Sequence, residues 1–134
     1  MNVPNLFRVA SLAVFVQIAL GGLITFGVLP YTVSSFGLST LLHVANGVVV
    51  FALVSAAAVA ALRSKPPHKG LNELSKAMVL LLVIQIGIGV TMVGALDNAI
   101  LSWVHLLIAV LIYAMTLVGR SFAMLRDQAA GGTT

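Results

Sequence analysis

Leu101-Ser-Trp-Val-His-Leu-Leu-Ile-Ala-Val110 places His105 early in an uncharged apolar run that continues to Gly119. Leu41-Leu-His-Val-Ala-Asn-Gly47 does the same for His43, in a run that reaches Leu62. Runs of about 20 such residues are long enough to cross a hydrocarbon layer roughly 30 Å thick as helices. An ionisable side chain at that depth is costly to keep and is a functional-site candidate by default. The two histidines are similarly placed in similar runs, and the rest of the chain is organised around them.

Composition agrees with a lipid solvent. Of 134 residues, 60% are hydrophobic and only 7% are charged, with a mean hydropathy of +1.15. A soluble domain carries about a quarter charged residues, so this chain lacks the polar surface to face water. It has no cysteine, which excludes disulfides, thiolate metal sites, iron–sulfur clusters and covalent attachment of a c-type heme. The net charge of +4 invites a nucleic-acid reading, but the positions of the cations argue against one.

Four spans are expected in one transmembrane domain, at about 9–29, 38–62, 75–95 and 99–122, with a polar tail over 123–134. The first is longer than the roughly 7–15 apolar residues of a cleavable signal peptide, so it is expected to remain. Arg63-Ser-Lys-Pro-Pro-His-Lys-Gly70 separates the second span from the third, its paired prolines forbidding a continuous helix. A tight turn around Leu96-Asp-Asn98 leads into the fourth. Arg8, Arg63, Lys65, Lys69, Lys76, Arg120 and Arg126 all fall on the side of the two termini. The positive-inside rule then puts both termini in the cytoplasm, with Tyr31 and Trp103 near the opposite interface.

The halves of the chain echo each other. Val16-Gln-Ile-Ala-Leu-Gly21 matches Ile84-Gln-Ile-Gly-Ile-Gly89, and each is followed, after an outer connection, by a histidine early in the next span. Repetition of two helices implies a parallel duplication about an axis along the membrane normal. The expected fold is therefore all-α, an integral membrane four-helix bundle built as a tandem repeat of two helix pairs. Spans two and four would face each other, with His43 and His105 at equal depth, roughly 8 Å from the outer helix ends.

Two imidazoles at one height on opposed helices can grip the iron of a porphyrin from both sides, as helix bundles hold cofactors in their cores. Gly47 and Ala109 lie one turn past each histidine on the same face and would let a macrocycle approach the backbone. Gly21, Gly22, Gly87 and Gly89 thin the flanking helices at similar places, although close packing of membrane helices uses small residues in any case. The histidines could equally bond across helices or line a water pocket. Gln17 and Gln85, amides in mid-membrane, either join spans one and three by hydrogen bonds or border the cofactor. A bare metal is the weaker expectation, since no Cys, Asp or Glu lies at that depth. Asp97 belongs to the interfacial turn, and His68 to a solvated loop.

Gln17-Ile-Ala-Leu-Gly-Gly22 and Gln85-Ile-Gly-Ile-Gly89, each followed by a span opening on a histidine, resemble the heme A synthase family. Typical members have eight spans arranged as two four-helix halves, each with a pair of heme-ligating histidines, and short four-span members exist. The chain is similar to one such half over nearly its whole length, which implies that His43 and His105 are axial ligands. It departs from the catalytic half of the family at two positions. Ser39 stands where a glutamate precedes the first histidine by four residues, and Val44 stands where an arginine follows it. The outer-loop cysteine pair of many members is also missing. The resemblance is thus closer to the half that holds heme b than to the half that modifies heme.

The leading expectation is an integral membrane b-type cytochrome with a non-covalent heme b. His43 and His105 would be its metal ligands, with Gly47, Ala109, Gln17, Gln85, Gly21 and Gly89 lining the cofactor and no catalytic residue assigned. A bis-histidine iron has no open position, which suits electron transfer. Expected partners are the lipid bilayer, a redox protein or quinone, and further subunits, the same or different, but no nucleic acid. Two other expectations stand beside it. One is a heme A synthase-like enzyme working as a homo-oligomer, which would yield hydroxylated heme products. The other is a heme-free accessory subunit of a membrane complex.

Overall fold

A computed structural model describes residues 1–25, 37–94 and 98–131, which contain four helices. These are α1 (Val3–Thr25), α2 (Leu38–Leu62), α3 (Lys69–Gly94) and α4 (Ala99–Gly131). At 1.5 Å per residue they are about 35, 38, 39 and 50 Å long. All four are long and apolar enough to cross a membrane. The chain is an all-α four-helix bundle whose helices are candidate membrane spans.

The helices begin where the sequence offers a cap. Asn2 Oδ1 accepts the Asn5 N–H at 3.1 Å and starts α1 six residues before the apolar run. His68 Nδ1 accepts the Leu71 N–H at 3.1 Å and starts α3, and Asn98 Oδ1 does the same for Leu101 in α4. Each satisfies one of the backbone donors that a first turn leaves unpaired. At the other end of α2, Ser64 Oγ donates to the Ala61 carbonyl at 2.6 Å, and Pro66 and Pro67 follow. The segment expected as a tail from Ala123 is helical as far as Gly131, because Ala, Met, Leu, Arg and Gln there are good helix formers.

Each helix packs on its two neighbours around the bundle: α1 on α2 and α4, and α3 on α2 and α4. That order sets α2 and α4 on a diagonal. The buried core lies toward the end that carries the termini. It comprises Phe7, Ala10 and Val14 of α1, Val50 to Ala61 on one face of α2, Leu71, Met78 and Leu82 of α3, and Ile112 and Ala123 of α4. Gly119 lets α1 approach α4 there, since a Cβ on it would fall 2.6 Å from the Phe7 ring. Toward the other end burial declines. Nothing is buried between Ser39 and Val50 of α2, or between Leu82 of α3 and Ala109 of α4 among the described residues. Leu12, Phe15, Leu41, Val48, Leu80, Val90 and Leu107 are exposed on the outside of the bundle, as a lipid-facing surface requires.

Candidate functional site

His43 and His105 meet in that less buried half. Their ring centroids are 6.4 Å apart, with the ring planes inclined at 51°. The diagonal of the bundle places α2 opposite α4, and the early position of each histidine in its helix puts the two rings at one level. Both are partly buried.

A glycine of the preceding helix seats each ring. A Cβ on Gly21 of α1 would lie 3.1 Å from His43 Cε1, and one on Gly89 of α3 would lie 3.2 Å from His105 Cε1. Either distance is closer than carbon atoms normally approach, so any larger residue would push its ring aside. The glycines that close the two matching sequence segments therefore do the same steric job in each helix pair. Both Nδ1 atoms are buried without a hydrogen-bond partner. Buried polar atoms in that state are uncommon in folded proteins and call for an explanation.

The glutamines are engaged, but neither joins α1 to α3. Gln17 Nε2 lies 3.0 Å from His43 Nε2. Gln17 Oε1 accepts from Asn46 Nδ2 at 2.8 Å, and the same Asn46 amide donates to the Ala13 carbonyl at 3.1 Å. In the other pair, Gln85 Nε2 donates to the backbone carbonyl of His105 at 2.9 Å, while its Oε1 is buried and unpartnered. Each amide thus binds the histidine-bearing helix of its own pair, α2 or α4.

The remaining expected residues are spread around this centre. Gly47 faces α1, where a Cβ would sit 3.4 Å from Gln17 Nε2, and Ala109 is buried in α4. Gly22 and Gly87 have open space beside them. Thr40, one turn before His43, buries an unpartnered hydroxyl. Ser39 is buried and Val44 is half exposed. Trp103 is exposed near the start of α4, whereas Tyr31 and Asp97 lie outside the described residues. His68 lies in the loop before α3, as expected, but it is half-buried rather than solvated: it caps α3 and its ring packs 5.4 Å from that of Phe122.

Sequence reasoning passed over Asn46. The signal was there, since an amide in mid-span three residues after a histidine needs a partner within the bundle. Its role was hidden because that partner, Gln17, lies on another helix.

Among the described residues no three His, Cys, Asp or Glu side chains gather into a metal site. Two imidazoles alone make a sparse shell for a free ion. They suit a metal that brings the rest of its ligands with it. No protein-family model matches this chain, and comparisons with curated proteins and with solved structures gave no match.

Proposed function

We propose that this protein is a membrane b-type cytochrome, in which His43 and His105 hold one non-covalent heme b between α2 and α4. The observation that carries this reading is the 6.4 Å separation of the two rings. Imidazoles bound on opposite sides of one metal, with metal–nitrogen bonds of about 2 Å, have ring centres roughly 6 Å apart. The buried, unpartnered Thr40 hydroxyl one turn before His43, and Gln85 Oε1 on the amide bonded to the His105 carbonyl, support the choice of place.

A bound heme b supplies a one-electron iron couple. His43 and His105 would be the side chains that hold it. Gly21 and Gly89 would seat the rings and Gln85 would tie α3 to α4 at the His105 carbonyl, while Gln17, 3.0 Å from His43 Nε2, would yield that nitrogen to the metal. The exposed apolar surface keeps the helices in lipid and water away from the centre. Held by two protein side chains, such a group would suit electron transfer rather than substrate chemistry. The heme-modifying reading finds no acid or base at position 39, where Ser39 stands. A relation to the heme b-holding half of the heme A synthase family, with α1–α2 and α3–α4 as tandem repeats, accords with the matching Gly–His contacts.

The cations at Arg8, Arg63, Lys65, Lys69, Lys76, Arg120 and Arg126 argue for termini in the cytoplasm and histidines toward the outer face. Electrons would then be exchanged with a quinone or redox protein from that side, in a homo- or hetero-oligomeric assembly. The experiment is a reduced-minus-oxidised spectrum of the purified protein from heme-sufficient cells. A six-coordinate b-type spectrum, lost in both His43→Ala and His105→Ala, is expected. A protein that stays colourless after heme titration would sink the proposal and leave the accessory-subunit reading.

A further inference from the structure

The bond between Gln17 and His43 joins two nitrogens, so one must donate and the other must accept. The rest of the network decides which. A carbonyl oxygen only accepts, so the Asn46 atom 3.1 Å from the Ala13 carbonyl is the amide nitrogen. That nitrogen also points at Gln17 at 2.8 Å, so the Gln17 atom facing it is the carbonyl oxygen. The other Gln17 atom, turned toward the imidazole at 3.0 Å, is therefore the NH2 group. It has no lone pair to offer, and His43 Nε2 must accept. In the neutral ring the proton then sits on Nδ1.

We infer that Asn46 and Gln17 form a positioning relay that holds His43 as the Nδ1–H tautomer, with the Nε2 lone pair accepting from the Gln17 amide. The orientation starts at a backbone carbonyl of α1, passes through two amides and ends on the ring. Among the described residues the α3–α4 pair has no such relay. Gln85 spends its NH2 on the His105 carbonyl, and Ile108, at the place corresponding to Asn46, has no polar group. The two histidines therefore differ in how their tautomers are set.

One consequence rests on the proposed heme reading: a metal that takes the His43 Nε2 lone pair must displace the Gln17 amide from it. The tautomer itself does not depend on that reading and can be measured without heme. The experiment is nuclear magnetic resonance of 15N-histidine-labelled, heme-free protein in detergent, at a pH where the rings are neutral. Single histidine variants assign the signals. His43 is expected as the Nδ1–H form, opposite to the preference of free histidine. Gln17→Leu and Asn46→Leu should each shift it severalfold toward the Nε2–H form, while Gln85→Leu leaves it unchanged. A wild-type His43 found mainly as Nε2–H overturns the relay, and needs no variant to fold. So does an Nδ1–H form that persists in both Gln17→Leu and Asn46→Leu. Neither result bears on whether the protein binds heme, which the optical spectrum decides separately.

Discussion

The α1–α2 and α3–α4 pairs present their histidines in nearly the same way and then treat them differently. In both, a glycine of the first helix receives the ring edge of the second, with virtual Cβ distances of 3.1 and 3.2 Å to Cε1. In both, a glutamine one turn before that glycine reaches across to the histidine-bearing helix. Gln17, however, is turned by Asn46 and reaches the ring, whereas Gln85 reaches only the backbone. Ring placement is therefore a steric matter, common to the two pairs. The state of the ring is a hydrogen-bond matter, special to one of them.

The comparison breaks most completely at the rings themselves. Replacing either histidine by alanine should abolish the six-coordinate spectrum to the same degree, as seen by optical spectroscopy. A large difference between the variants would mean the two sides do not share one group. Next come the seats. Gly21→Val and Gly89→Val should each displace a ring and weaken heme retention by about 1–3 kcal/mol, the usual cost of overpacking, measured by heme titration. If only one of them does so, the steric equivalence is wrong.

A control belongs at the opposite end of the bundle. Gly119→Ala would press a methyl group on the buried Phe7 ring and should lower thermal stability by about 1–3 kcal/mol. The heme spectrum of the folded fraction should not change. The smallest effect is expected for His68→Ala, which removes the α3 cap and should cost about 1 kcal/mol in a chemical or thermal melt. That variant should keep its spectrum too, separating the helix-capping histidine from the pair in the bundle.

Much of this architecture is legible in the sequence, because lipid makes the coding simple. Uncharged runs of sufficient length must be helices, and the span expected at 38–62 coincides with α2. Helix ends were less legible: α1 and α3 start several residues before the apolar runs, because Asn2 and His68 cap them through side-chain bonds that hydropathy does not register. The approach of His43 to His105 could be anticipated from the repeated order of Gln, Gly and His. The partners of Gln17 and Gln85 could not. An amide can turn either way and reach either neighbour, and which it does depends on the packing of a second helix. Asn46 stayed hidden for that reason, although it is the residue that distinguishes the two halves of the site.

The central claim is that one heme is shared by His43 and His105. Near-infrared magnetic circular dichroism of the oxidised, purified protein tests it most directly, because the charge-transfer band reports the axial ligand pair, and the same sample gives the heme content. The account predicts a bis-imidazole signature with one heme per chain. A ligand pair other than two histidines, or a folded protein that takes up no heme, would contradict it.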